Sequence, residues 1–522
     1  MAGGKAEPLD RATVVSLVAM ALGVFIIAND ITALSVALPQ IEADYDSDVS
    51  TIQWVINAYA LVFGVLIVTG GRLADMLGRR RIFFAGAAIF ALFSLLGGLA
   101  PDPTSLIVCR GLMGIGGALM WPAILGMTYA ILPASRAGLA GGLILGAAGF
   151  GNAAGPLIGG AITELFDWRW ILILNVPIAA VAAFVTWRTV PESVAEDAER
   201  RLDYAGSITL SIGLIALLVA LDQVTDLGWS DPEVLVLLAV FVVLLAAFVI
   251  IERRAGGHAL VPRDVMSNRS FMSACLAVLL MSPLFFVALM YLPQLFQKSL
   301  DYSAFEAGLA LLPMMGTFTV ASVAAGRLYE RLGPRPILIG GASSLLVGAF
   351  LISLIERGDS WAQAVPGMVV MGAGVGLFYS SVTTWAVTAL DPSRSSLAGG
   401  LTYMFQIAGG SVGLGLATTI FATASSDKLE SEISDAGPRL SDSQQDAVEG
   451  LLAGTDSAGE LVDQFPHMAA RLEDIAREAF AAGFTWGFRM VALLALAGLA
   501  VTVLELGRKP KDGEPDTAVG SS

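Results

Sequence analysis

GGRLADMLGRRR at residues 70–81 returns as AGRLYERLGPRP at 325–336, each copy closing an apolar run. The agreement extends beyond that stretch. LPASR at 132–136 returns as LDPSR at 390–394, LAGGL at 139–143 returns unchanged at 397–401, and LPQ at 38–40 returns at 292–294. The pair Gly114/Gly116 returns as Gly372/Gly374. The offsets fall between 254 and 258 residues, so two collinear halves follow one another along the chain. Paired halves of this kind are a recurring construction of secondary transporters, with the substrate site at the interface between repeats.

Composition places those halves in lipid. Hydrophobic residues make up 56% of the chain and charged residues 14%, against roughly 25% charged in a soluble domain. A span of the hydrocarbon core takes about 20 apolar residues. Fourteen such runs are predicted, near 13–35, 52–74, 81–100, 105–126, 139–161, 170–188, 206–222, 232–251, 271–295, 304–326, 336–355, 364–387, 398–422 and 482–505. They are long and continuous, not alternating ten-residue strands, which excludes a transmembrane β-barrel. The first is too long for a cleaved signal peptide and is expected to be retained. The fold class is therefore an all-α membrane protein.

The repeat covers runs one to six and nine to fourteen, leaving runs seven and eight as an unmatched hairpin. The expected organisation is a six-helix bundle over 1–200, a hairpin over 201–262, a second bundle over 263–508 that includes an outer loop at 423–481, and a tail at 509–522. Arginines set the orientation. Arg79, Arg80, Arg81, Arg136, Arg200, Arg201, Arg253, Arg254, Arg331 and Arg335 all fall in loops on one face, which the positive-inside rule makes cytoplasmic, with both termini. The net charge of −15 owes much to 427–478, which holds thirteen acidic and four basic residues. Leu461, Phe465, Met468, Leu472, Ile475 and Ala479 recur there at helical spacing, which suggests an amphipathic helix over the membrane or the transporter; a partly ordered, solvated loop fits the same segment.

Several classes are excluded. No GxxxxGK[ST] occurs, so the chain carries no phosphate-binding loop of its own. Cys109 and Cys275 both lie in spans and offer neither a disulfide framework nor metal spacing. His258 and His467 fall outside the spans, so a histidine proton relay is not expected. No catalytic group, metal site or cofactor is expected; the coupling ion would be the proton.

Four motifs now align in order. Gly71-Arg72-Leu73-Ala74-Asp75-x-x-Gly78-Arg79-Arg80-Arg81 resembles the loop 2–3 signature of the major facilitator superfamily. Arg110-Gly111-x-x-x-Ile115-Gly116-Gly117 resembles its fourth-helix motif, and Gly146-x-x-x-x-Gly151-x-x-x-Gly155-Pro156-x-x-Gly159-Gly160 its fifth-helix antiporter motif. Asn29-Asp30-Ile31-Thr32 through Val36-Ala37-Leu38-Pro39 resembles the first-helix signature of the fourteen-spanner drug/proton antiporters, as does Trp168-Arg169-Trp170 followed by Asn175-x-Pro177. The resemblance implies a 6+2+6 major facilitator fold with outward, proton-coupled efflux. It also implies an antiport role for the fifth helix; the residues alone indicate only a small-residue surface for close packing, bent at Pro156.

The residues themselves carry a mechanism. Asp75 can pair with arginines across the cytoplasmic face and hold one conformation shut. Glu330, Gly333 and Arg335 repeat Asp75, Gly78 and Arg80 in the second half. A charge in hydrocarbon costs about 2.5–3.5 kcal/mol on insertion scales, which singles out Asp30 and Arg110. At about 1.5 Å per residue both lie roughly 9–14 Å below the outer surface, so they can meet as a proton and cation site if the first and fourth helices are neighbours. Gln53, Asn57, Tyr59, Trp121, Asn152, Phe285, Tyr291, Gln294, Tyr379 and Gln406 are the candidates for a substrate cavity, with Trp54, Met120, Phe286 and Phe405 as further wall residues. Arg489, in the last span, is expected to snorkel or to pair with an outer carboxylate. The expected function is proton-coupled efflux of hydrophobic, cationic drugs from the inner membrane by a monomer. The alternatives are export of an endogenous antibiotic, siderophore or lipid, or a non-transporting scaffold. The expected partners are the bilayer and small molecules, not nucleic acid.

Overall fold

The computed structural model describes residues 9–47, 49–194, 203–255, 259–300, 302–355, 360–435 and 469–506. Among them every regular element is helical, as lipid requires of an open chain that must satisfy its own backbone. Fourteen helical segments are long and apolar enough to span, matching the fourteen predicted runs. The helices are α1 (Arg11–Tyr45), α2 (Val49–Leu77), α3 (Arg79–Gly98), α4 (Pro103–Ile131), α5 (Ala137–Leu165), α6 (Arg169–Thr189), α7 (Tyr204–Leu227) and α8 (Pro232–Ala255). They continue with a short α9 (Arg263–Ser267), α10 (Arg269–Leu300), α11 (Ala304–Ala310), α12 (Leu312–Leu332), α13 (Pro334–Ile352), α14 (Trp361–Thr388), α15 (Ser395–Asp435) and α16 (Ala469–Glu505).

The two halves pack alike. In the first, α5 and α6 lie on α1, α2 on α4, and α3 on α4 and α6. In the second, α15 and α16 lie on α10, α12 on α14, and α13 on α14 and α16. The halves meet through two reciprocal seams, α5 against α12 and α2 against α15. Small residues bring the backbones together there: a methyl on Gly138 would stand 2.6 Å from the Gly326 carbonyl, and one on Gly71 2.7 Å from that of Ser396. The unmatched α7 and α8 pair with each other; α7 also touches α2 and α15, while α8 turns mostly apolar side chains such as Val236, Val242 and Val243 outward.

The structure differs from the sequence expectation in three places. The tenth run breaks at Leu311, giving α11 and α12, because Pro313 cannot supply an N–H to a continuous helix. At 41 residues, α15 reaches about 60 Å, twice the hydrocarbon thickness. It runs beside α16, with Phe421 and Phe480 centroids 5.2 Å apart and Lys428 3.8 Å from Glu478. Leu472, Ile475 and Ala479 therefore begin the last span's own helix, and do not form a separate helix lying over the membrane; 436–468 lie outside the described residues, as do His258 and His467.

Gly78 and Gly333 end α2 and α12 with φ of +112° and +83°, a region that disfavours any Cβ. At Gly78 a methyl would also stand 2.8 Å from the Glu192 carboxylate. Gly78→Ala should therefore destabilise the chain by about 1–2 kcal/mol, with Gly333→Ala, which has open space around it, costing less. Thermal melts in detergent of the two variants side by side check this.

Candidate functional site

Asp30 and Arg110 meet. Both are fully buried, Asp30 on α1 and Arg110 on α4, and the guanidinium Nη1 donates to Asp30 Oδ2. A third helix completes the arrangement: Asn175 Nδ2 of α6 donates to Asp30 Oδ1 at 2.8 Å and lies 3.2 Å from Ser94 Oγ of α3. Ser94 in turn donates to the Leu172 carbonyl at 2.7 Å. Arg110 is held from a fourth side by α2, its Nε donating to the Val55 carbonyl at 2.8 Å and its guanidinium carbon 4.6 Å from the Tyr59 ring centroid. Among the described residues, the Tyr59 hydroxyl and Arg110 Nη2 have no hydrogen-bond partner. Removing one partner of such a buried pair leaves the other charge uncompensated in a low dielectric.

The counterparts of Asp30 and Arg110 in the second half, Leu284 and Met368, are buried and apolar. The ion pair thus breaks the symmetry that the scaffold keeps. Asn175 was visible in the sequence as part of a motif, yet nothing in one dimension placed it beside Asp30; Ser94 carried no signal at all.

Asp75 is also buried, and its partners are one arginine, as expected, and two backbone amides, which were not. Arg79, the first residue of α3, pairs with it at 3.0 Å. Across the halves it accepts N–H groups of the first turn of α15, from Leu397 at 2.9 Å and Ser396 at 3.3 Å. A carboxylate on a helix N-terminus satisfies orphan donors and meets the positive end of the dipole. Arg79 continues the seam, donating to the carbonyls of Gly126 at 3.1 Å and, in the other half, Pro392 at 2.7 Å. Glu330 repeats the device, accepting the N–H of Leu139 in the first turn of α5 at 3.2 Å. Tyr129 and Thr384 hydroxyls, 3.1 Å apart, add a further link between halves.

Arg80 and Arg335 stay within their own halves. Arg80 Nη1 donates to Val190 O at 2.9 Å and Arg335 Nη2 to Val503 O at 3.3 Å, so they tie helix ends together within one half and do not bridge the halves. Arg72 is buried with its Nε unpartnered. Glu192, which sequence reading passed over, holds the Arg80 and Ser193 amides at 3.0 and 3.1 Å. The fifth-helix glycines face two ways. Gly151, Gly155 and Gly159 lie against α1, a methyl on Gly151 standing 2.9 Å from the Phe25 carbonyl. Pro156 and Gly160 instead meet Gly308 and Phe305, across the interface.

A cavity of about 230 Å³ lies between the two halves. Its lining comes from both halves and from the hairpin: Asn57 and Phe63 of α2, Phe286 of α10, Tyr403 of α15, and Leu218 and Val219 of α7. Ile31, Trp54, Ile407 and Ser411 complete the principal contacts. Of the residues expected there, Asn57, Trp54 and Phe286 line it. Tyr59, Trp121, Phe285, Tyr291 and Tyr379 are instead buried in helix packing; Tyr291, for instance, donates to Thr418 Oγ1 at 2.8 Å. Gln53 is exposed, and Asn152, Gln294 and Gln406 are half-buried away from the lining. Arg489 is exposed, its guanidinium 5.1 Å from the Trp486 ring.

A family model described as Major Facilitator Superfamily matches residues 20–414. The chain belongs to the major facilitator superfamily. Puromycin resistance protein pur8 of Streptomyces alboniger is 34% identical over 79% of this transporter and 82% of its own length. The tetracenomycin C resistance and export protein of Streptomyces glaucescens is 29% identical over 96% of this transporter and 93% of its own length. Among solved structures, the human organic anion transporter MFSD10 superposes with a TM-score of 0.62 at 13% identity, covering 95% of this transporter and all of that chain. At that identity the likeness speaks for the fold.

Proposed function

We propose that this transporter is a proton-coupled exporter of hydrophobic, aromatic drug-like compounds, with Asp30 as the proton site. The carrying observation is the sealed Asp30–Arg110–Asn175 cluster, a titratable carboxylate within the membrane that neither packing nor the second half requires. Protonating Asp30 removes the charge that holds Arg110, and a helix rearrangement that separates them lets the proton leave. The export direction rests on the relatives, named for resistance and export.

With the arginine-rich face cytoplasmic, the seam of Asp75, Arg79, Glu330 and Tyr129 closes the inner side while the cavity lies toward the outer side. That is an outward-facing state of alternating access. Rocking of the halves about α7 and α8 would exchange it for an inward-facing one. Among the described residues, none of those lining the cavity carries a formal charge, so stacking and shape select the occupant. An aromatic endogenous antibiotic would suit the cavity as well as a foreign drug.

Purified protein in liposomes, given an imposed pH gradient and a panel of ethidium, puromycin and tetracenomycin C, tests the reading. At least one compound should accumulate against its gradient with matching proton release. Uptake at the same rate with the gradient collapsed would overturn proton coupling.

A further inference from the structure

A row of aromatic rings joins the cavity to the buried ion pair. Phe63 of α2 and Tyr403 of α15 both line the cavity and stand edge to face with centroids 5.6 Å apart, although they belong to opposite halves. Trp121 of α4 closes the group beneath them, 4.5 Å from Tyr403 and 6.4 Å from Phe63. Phe63 then stacks on Tyr59 at 5.9 Å with only 8° between the planes. The next contact is the Tyr59 ring under the Arg110 guanidinium, at 4.6 Å, and Arg110 holds Asp30. Ring pairs at these distances move together, since neighbouring side chains in a close-packed interior leave no slack.

We propose that Tyr59 and Phe63 couple occupancy of the cavity to the protonation of Asp30, with Tyr59 as a positioning residue for Arg110. This rests on the proton-coupled reading above. A compound stacking on Phe63 and Tyr403 sets the tilt of Phe63, and through it the face that Tyr59 offers to Arg110. The backbone runs the same way: the Val55 carbonyl that holds Arg110 Nε lies one residue from Trp54 and two from Asn57, both on the cavity wall. Opening the inner side must draw Tyr403 away from Trp121 and Phe63, because those contacts cross the halves. The stack is then free to move, and Arg110 loses its aromatic support.

The fourth-helix glycines make room for this row. A methyl on Gly117 would stand 2.9 Å from the Tyr59 hydroxyl and 3.0 Å from the Phe63 ring, and one on Gly114 2.7 Å from the Tyr59 carbonyl. Charged and titratable groups facing Asp30 from the packed helices are Arg110 of α4 and Tyr59 of α2, with the neutral Asn175 of α6. Tyr59 is fully enclosed, yet among the described residues its hydroxyl has no hydrogen-bond partner, so the ring and not the hydroxyl carries the contact.

The full chain in liposomes containing a pH-sensitive dye reads the coupling, with ethidium, puromycin and tetracenomycin C as probes. In the wild type, protons should cross only when a transported probe is present. Tyr59→Leu and Phe63→Leu should each raise probe-independent proton flux by about tenfold, in the usual range of coupling between two sites. Tyr59→Phe, which keeps the ring, should match the wild type. Tyr59→Leu should still bind the probe, but its Kd should lose the pH dependence that the wild type shows, because coupling between two sites is reciprocal. If a wild-type exchange is seen and either folded leucine variant stays tightly coupled, the relay is wrong while the proton reading stands. If Tyr59→Phe leaks like Tyr59→Leu, the ring is not the coupling element. Should the wild type exchange protons with none of the probes, both fall together.

Discussion

Asp30→Asn is expected to reduce proton-driven accumulation to none. An imposed gradient of two pH units is worth about 2.7 kcal/mol per proton, which supports roughly a hundredfold accumulation in one-to-one exchange. An amide carries no proton across, so the ratio should fall to one while the compound still equilibrates down its own gradient. The amide also leaves Arg110 buried opposite a neutral group, supported by the Val55 carbonyl, the Met113 sulfur and the Tyr59 ring. Leaving one partner of a buried pair uncompensated costs about 3–5 kcal/mol, so a lowered melting temperature should accompany the loss. The double variant Asp30→Asn with Arg110→Gln should regain stability without regaining accumulation. Retention of gradient-driven accumulation by Asp30→Asn would remove this carboxylate from the mechanism.

Asp75→Ala should open the basic face. The carboxylate joins three things at once: Arg79, and the Leu397 and Ser396 amides of the other half. Removing it strands Arg79, which is 5% exposed, and uncaps α15. About 3–5 kcal/mol would be lost from the closed state alone, since the open state solvates both groups. A shift of that size turns a dominant conformer into a minor one. Spin labels at Ser135→Cys and Arg331→Cys, both exposed positions flanking the α5–α12 seam, should report a longer distance in Asp75→Ala than in the wild type. Cys109 and Cys275 are free thiols and would be replaced by Ser in both samples. An unchanged distance distribution would show that the seam does not depend on Asp75. Glu330→Ala should act in the same direction but more weakly, because it offers a single bond at 3.2 Å from an exposed site.

The arrangement of helices was legible in one dimension because lipid leaves so few choices. A repeat of apolar runs at a near-constant offset, with arginines on one face, admits little but two like bundles and an inserted hairpin. The depth argument that set Asp30 opposite Arg110 worked for the same reason: a helix advances regularly, so position along the axis follows from counting. Rotation about the axis does not follow from counting when a helix is apolar all round. Trp54 and Asn57 face the cavity while Tyr59, on the same helix, faces Arg110. That phase misdirected most of the expected cavity residues.

Backbone partners were equally hidden. Asp75 was expected to find arginines across the face, and its cross-half partners are instead two N–H groups, which leave no trace in residue identity. Glu192 and the α7 contribution to the cavity were missed likewise, since both depend on how a connecting segment folds back. By itself the sequence determined the helices, the duplicated loop and the matching depth of Asp30 and Arg110, all consequences of what hydrocarbon will accept. The tertiary structure alone decided which faces met. It put Asn175 beside Asp30, capped α15 with Asp75, and let an aromatic row run from Tyr403 to Arg110, because close packing between helices, and no pattern along them, selects those neighbours.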